Sequence, residues 1–123
     1  MFILKVIKVF SAAHNLRGYK GKCEKLHGHN WKVEVEVTGP KLNKLGMLMD
    51  FHDIKDELQA VLDKFDHAYL NEVPPFNKIN PTSENLAKYV FDDLNLKLKT
   101  YNLKLHSITV WESDTSSASY TED

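Results

Sequence analysis

The stretch HGHNWKVEVEVT, His27 to Thr38, alternates strictly: Trp31, Val33, Val35 and Val37 fall on one face and Lys32, Glu34, Glu36 and Thr38 on the other. A period of two marks a strand with one face buried and one wetted. His27 and His29 share the row of Trp31, so two imidazoles extend the core-facing row toward its end, about 7 Å apart along the backbone. Upstream, Phe2 to His14 is rich in Phe, Ile, Val and Leu with no turn signal and is predicted to form a long strand of its own. Asn15 to Gly21 between them is a glycine-containing polar loop, made basic by Arg17, Lys20 and the neighbouring Lys22.

Downstream, Gly39-Pro40 ends the alternating strand and Asp50 is placed to cap a helix. Phe51, Ile54, Leu58, Val61, Leu62 and Phe65 then recur at helical spacing, which predicts an amphipathic helix. Asp66 to Pro81, with Pro74-Pro75 and Asn80-Pro81, is expected to be irregular. Thr82 or Ser83 should cap a second helix whose buried stripe is Leu86, Tyr89, Val90 and Leu94. Leu105 to Ser113 and Ser117 to Thr121 are expected as third and fourth strands. The order β, β, α, α, β, β, without internal repeat or linker, predicts one α+β domain over residues 1–123: an antiparallel sheet with both helices on one face. In the first strand, Ile3, Ile7 and Val9 oppose Phe2, Leu4, Val6 and Phe10, so both faces are apolar. Association with further copies would cover the second face.

A chain of 123 residues exposes roughly 20,600 Å² unfolded and about 6,800 Å² folded, enough burial for a core without disulfides. Apolar residues make up 42% and charged ones 27%, with a formal net charge of -1, which excludes disorder as the main state. No run approaches the roughly 18 apolar residues of a membrane span and no signal peptide is recognised. Arg17 is the only arginine, and basic residues are balanced by acidic ones, so a nucleic-acid surface is disfavoured. The single cysteine, Cys23, fits a reducing cytoplasm.

His14 ends the first strand at the mouth of the loop that leads to His27 and His29. If the two strands pair through that loop, three imidazoles meet. Three neutral nitrogens with an open fourth position is the arrangement of catalytic zinc; three unconnected surface histidines is the plainer alternative. Cys23 sits among Lys20, Lys22 and Lys25, whose charge favours the thiolate. It is alternatively a small buried side chain, or a fourth ligand that would close the site. Asp66 and His67 have the residue types of an orienting carboxylate and a base, although neighbours in sequence seldom bond directly. Glu112 shares its face with Ile108 and Val110, so its carboxylate needs donors there. A ligand with two parallel N–H groups would supply them as a bidentate pair. Thr82, Ser83 and Glu84 are ordinary helix-start residues, and His52 and His106 are most simply solvated or structural.

Six stretches in order, FSAAH (Phe10 to His14), CEKLHGHNW (Cys23 to Trp31), MDF (Met49 to Phe51), LDKFDHAYLN (Leu62 to Asn71), PTSEN (Pro81 to Asn85) and VWES (Val110 to Ser113), resemble the 6-pyruvoyltetrahydropterin synthase family. Within it the chain is more similar to the bacterial and archaeal branch that makes 6-carboxy-5,6,7,8-tetrahydropterin in the queuosine pathway. The resemblance implies a ββααββ tunnelling fold whose trimers close into a barrel and stack in pairs, with sites at subunit interfaces. It implies zinc on His14, His27 and His29, Cys23 as the proton-transferring base, and Asp66 with His67 as a second catalytic pair reaching in from a neighbouring subunit. Glu112 would anchor the 2-amino-4-oxo edge of a pterin, with Thr82, Ser83 and Glu84 lining the same pocket. The implied substrate is 7,8-dihydroneopterin triphosphate, and the triphosphate is assigned to Arg17, Lys20 or Lys22. The three-residue spacing between Cys23 and His27 resembles the carboxy-forming branch. Glu24 beside the cysteine resembles variants that cleave dihydroneopterin-type side chains, so that activity and pyruvoyl formation are the alternatives. The rivals from other classes are a closed structural zinc domain using Cys23 and the three histidines, and a cysteine hydrolase built from Cys23, His67 and Asp66.

Overall fold

The computed structural model describes residues 1–20 and 24–122. Its elements are β1 (Phe2–His14), β2 (His27–Gly39), α1 (Phe51–Leu62), β3 (Ala68–Tyr69), α2 (Ser83–Leu98), β4 (Lys104–Ser113) and β5 (Ser116–Tyr120), with single 3-10 turns at Leu70–Glu72 and Lys99–Tyr101. The sheet order is β3-β1-β2-β4-β5. β1 and β2 pair antiparallel over their full lengths, with His14 opposite His27, Phe10 opposite Trp31 and Phe2 opposite Gly39. β4 continues the antiparallel sheet beside β2, and β5 beside β4.

The alternation in β2 does what its period requires. Trp31, Val33, Val35 and Val37 are fully buried and meet Val6 and Phe10 of β1 and Ile108 and Val110 of β4 in one apolar cluster with both helices. Asp50 caps α1, its carboxylate accepting the His52 N–H at 2.8 Å, and Ile54, Leu58, Val61 and Leu62 face the sheet. Thr82 caps α2 in the same way through the Asn85 N–H at 3.1 Å, and Leu86, Ala87, Val90, Phe91, Leu94 and Leu98 are buried. Gly39 closes β2 where an added Cβ would lie 2.5 Å from a Leu48 methyl, so a larger residue there would require the Leu48 side chain to shift.

Three expectations need correction. Residues 66–81 are not wholly irregular: Ala68–Tyr69 forms a short strand parallel to β1, Ala68 opposite Ala12, so the sheet has five strands and is not purely antiparallel. Two residues are too few for a periodic signal. Phe51 opens α1 from the solvent side and is 52% exposed. Phe65 is buried as expected but lies past the last residue of α1, in the turn that follows.

The second face of β1 is apolar, as anticipated. Ile3, Ile7 and Val9 are exposed, and among the described residues β3 covers only Ala12 and Ala13 of the outer edge of β1. The rest of that sheet face is polar and cross-linked. Lys5 lies 3.7 Å from Glu34 and 3.4 Å from Glu36, and Trp111 Nε1 donates to Glu34 at 2.9 Å. Among the described residues no helix is long and apolar enough to cross a membrane.

Candidate metal centre

Register and parity assemble the site. Directly paired residues in an antiparallel ladder point to the same face, so His14 and His27 project together toward the helices, and His29, two residues along β2, joins them. The ring centroids of the three imidazoles are 4.6, 4.8 and 5.1 Å apart, with planes 66° to 90° to one another. Trp31 is their floor: its ring stands edge-on to His14 at 4.8 Å and to His29 at 5.2 Å. Its Nε1 donates to the Ala12 carbonyl at 3.2 Å, so the indole is held as well as packed.

Two backbone carbonyls set the tautomers. His14 Nδ1 lies 2.8 Å from the Pro81 carbonyl and His27 Nδ1 2.8 Å from the Lys25 carbonyl. A carbonyl oxygen only accepts, so both Nδ1 atoms carry the proton and both Nε2 atoms present lone pairs. Those two Nε2 atoms face each other at 3.1 Å. Two lone pairs so close repel unless a cation, a proton or a metal, lies between them. His29 Nε2 is buried without a hydrogen-bond partner among the described residues, and burial pushes the His29 pKa down. Neutral imidazoles with Nδ1 tied back and Nε2 free are what a zinc ion takes as ligands. The residues present therefore fit the metal.

Glu112 completes the group. Its Oε1 lies 3.5 Å from His29 Nε2 and its Oε2 3.9 Å from His14 Nε2, and one atom from each of His14, His27, His29 and Glu112 falls within 4.8 Å of the others. Corners of a tetrahedron with zinc–ligand bonds near 2.0–2.1 Å are about 3.3 Å apart; the 3.1 and 3.5 Å separations lie close to that value, and Glu112 Oε2, 3.9 Å from His14 Nε2, would have to draw in to reach it. Glu112 also borders a cavity of about 210 Å³ with Ser83 and Glu84 from the first turn of α2 and Ser116, Ser117 and Ala118 of β5. Of the helix-start residues expected there, Thr82 instead spends its hydroxyl on capping α2.

Asp66 and His67 do bond, His67 Nδ1 to Asp66 Oδ1 at 3.0 Å. The left-handed backbone of His67, φ 60°, makes this neighbour contact possible. The pair is fastened to β1 through Ser11, whose N–H donates to Asp66 at 3.0 Å. That donor, then the neighbouring imidazole, holds the Asp66 pKa below its ordinary value. The His67 side chain is 82% exposed, and its hydrogen bonds run to Asp66 and Ser11, none to the three-histidine cluster. Cys23 and Lys22 lie outside the described residues. Glu24 lies behind the His27 ring: its Oε1 accepts the Leu16 N–H at 3.2 Å and stands 3.9 Å from His27 Nδ1, the side away from the converging Nε2 atoms.

The basic loop holds a clamp that its composition does not reveal. Arg17, one of the three candidates for phosphate contact, directs its guanidinium to the Phe76 and Ile79 carbonyls at 2.6 and 2.8 Å. Asn80 accepts the Arg17 N–H and donates to the Arg17 carbonyl, and Asn71 does the same for Asn15. Each asparagine amide stands in for a strand partner, extending the hold on β1 beyond its last ladder pair. Asn85 then fastens the Asn80 carbonyl at 2.8 Å, next to the Pro81 carbonyl that orients His14. Asn71 and Asn85 stand in the LDKFDHAYLN and PTSEN stretches, but nothing in the sequence tells which backbone each amide will meet.

A mixed five-stranded sheet carries two helices on one face, and three imidazoles converge from its adjacent strands into a group that could hold a metal ion. Comparison with known proteins gives the family: residues 3–123 match the model for 6-pyruvoyl tetrahydropterin synthase, and the chain belongs to that family. A Haemophilus influenzae protein named 6-carboxy-5,6,7,8-tetrahydropterin synthase is 34% identical over 98% of this chain and 100% of its own. A Dictyostelium discoideum protein named 6-pyruvoyl tetrahydrobiopterin synthase is 35% identical over 91% of this chain and 90% of its own. The structure of Caenorhabditis elegans 6-pyruvoyl tetrahydropterin synthase superimposes with a TM-score of 0.86 at 28% identity, covering 99% of this chain and 96% of that one.

Proposed function

We propose that the chain is a zinc-dependent lyase that converts 7,8-dihydroneopterin triphosphate, with one water, to 6-carboxy-5,6,7,8-tetrahydropterin, acetaldehyde and triphosphate, in the cytoplasm and within the queuosine pathway. The observation that carries the reading is the facing pair of Nε2 atoms of His14 and His27, 3.1 Å apart, beside the Nε2 of His29, which is buried without a hydrogen-bond partner among the described residues. Zinc held there supplies Lewis acidity that lowers the pKa of a side-chain hydroxyl of the substrate. Pro81 and Lys25 hold the Nδ1 protons of their histidines away from the metal. The Glu112 carboxylate receives the paired N–H groups of the pterin edge beside Ser83 and Glu84, with Thr82 fixing the helix turn that presents them. Cys23, as thiolate, and His67, oriented by Asp66, are the two bases that remove and return protons on either side of the pterin side chain.

His67 faces solvent and, among the described residues, hydrogen-bonds only to Asp66 and Ser11, which favours its serving a neighbouring subunit's site. The exposed Ile3, Ile7 and Val9 and the open edge of β1 favour an oligomer, a barrel-forming trimer or a pair of such trimers. The position of Glu24 behind His27 counts against glutamate-driven side-chain cleavage. Pyruvoyl formation differs only in what leaves with the triphosphate, and the product decides it. Incubation of the zinc-loaded protein with 7,8-dihydroneopterin triphosphate should yield a pterin with the mass of the 6-carboxy compound, and acetaldehyde. A pyruvoyl product would move the chain to the other branch. Turnover by Cys23→Ala equal to that of the unaltered protein would remove the cysteine from the mechanism.

A further inference from the structure

We propose that Glu112 is a displaceable fourth ligand: it closes the coordination sphere while the pterin pocket is empty, and leaves when a 2-amino-4-oxo pterin edge offers its carboxylate a pair of N–H donors. Substrate entry would then itself open the fourth position. The inference rests on the zinc and pterin reading above and adds a coupling between the two sites.

The position of Glu112 in the strand is the first argument. β4 and β5 are in register at Trp111 opposite Ser117 and again at Ser113 opposite Ser116. Glu112 is the extra residue between these pairs, at a β-bulge, a feature that re-aims a side chain and releases it from the regular ladder. The second argument is the carboxylate's partners. Among the described residues no donor hydrogen-bonds to Glu112, and its side chain is 39% exposed; what it approaches is His29 at 3.5 Å and His14 at 3.9 Å. With three neutral imidazoles, one carboxylate gives zinc a complete four-donor shell and offsets half its charge. The third argument is what lies the other way. Among the described residues the cavity that Glu112 borders is lined by Glu84, three serines and Ala118, with no lysine or arginine. Empty, that side offers Glu112 like charge, and the cation side is preferred. Once a pterin edge fills it, two parallel N–H groups reverse the preference.

A ligand and a metal that compete for one carboxylate must weaken each other by the same factor. Unsubstituted pterin is the probe, since it carries the 2-amino-4-oxo edge and no side-chain hydroxyls that bind metal. Zinc affinity of the purified protein, measured against a chromophoric chelator, should fall at least tenfold in saturating pterin. Glu112→Gln should bind zinc about 10- to 100-fold more weakly without pterin, and pterin should then leave its zinc affinity unchanged. The visible spectrum of the cobalt-substituted protein should change on adding pterin and already differ in Glu112→Gln. Pterin binding that leaves zinc affinity unaltered or raises it overturns this inference alone, as does a Glu112→Gln variant with undiminished zinc affinity. Failure of pterin to bind either the zinc-loaded or the zinc-free protein overturns both this inference and the function beneath it.

Discussion

The Nδ1 atoms of His14 and His27 are committed to backbone carbonyls, and everything the site can do follows from where that leaves the Nε2 lone pairs. Replacing His14 by Asn should lower zinc affinity at least about 100-fold, since even groups one step removed from a metal cost 10- to 100-fold; competition with a chelator measures it. Asp66 carries a prediction with a definite sign. Its folded-state pKa lies below the ordinary 3.8, because the Ser11 N–H and then His67 favour the carboxylate. Between the two values the unfolded chain binds more protons, so the stability this carboxylate contributes is present above pH 3.8 and is lost as pH falls through the folded value. Acid titration of stability should therefore be flatter in Asp66→Asn than in the parent chain below pH 4. An equal slope would mean that the Ser11 contact does not persist in solution.

The segment between β3 and α2 looks like a connection in sequence and acts, together with the first turn of α2, as a scaffold in the fold. Arg17 ties the Phe76 and Ile79 carbonyls, Asn80 ties Arg17, Asn85 ties Asn80, and the next carbonyl, that of Pro81, orients His14. Arg17→Ala should cost about 1.5–3 kcal/mol in denaturant unfolding, the range for hydrogen bonds from a charged donor, and Arg17→Lys should restore part of it, because both bonds leave the single nitrogen Nη2 and an ammonium can also donate twice. Thr82→Ala removes the cap of α2 and should cost about 1 kcal/mol. If these losses reach His14, zinc affinity falls with them; a loss of stability with zinc affinity intact would separate the scaffold from the site.

At the scale of the molecule, one sheet face packs on two helices and the other stays open. Ile3, Ile7 and Val9 alternate there with Lys5, whose partners are Glu34 and Glu36 on β2. Single apolar residues on a surface are ordinary, whereas a row of three on a strand with an open edge is a surface for another copy. Ile7→Glu should leave the unfolding of the isolated chain within about 0.5 kcal/mol and shift the sedimenting species toward the monomer. An unchanged sedimentation coefficient would place the subunit contacts elsewhere.

Local signals were enough to foresee most elements: β1 from its run of β-prone residues without a turn, β4 and β5 as strands, and β2, α1 and α2 from periodicity, because side chains two or 3.6 residues apart report the face they share whatever the rest of the chain does. Periodicity placed His27 and His29 on the face of Trp31, and residue type placed Asp50 and either Thr82 or Ser83 at helix starts, since those are short-range effects. The ordered motifs identified the family for the same reason: a motif is a local string. The remainder came from contacts between distant segments. His14 meets the Pro81 carbonyl 67 positions away, Arg17 is anchored about 60 positions along the chain, and β3 exists only because β1 offers it an edge. No local pattern distinguishes a guanidinium destined for a carbonyl from one destined for a phosphate. Only packing of the whole chain selected among those partners, because each such bond forms after helices and strands have brought its two ends together.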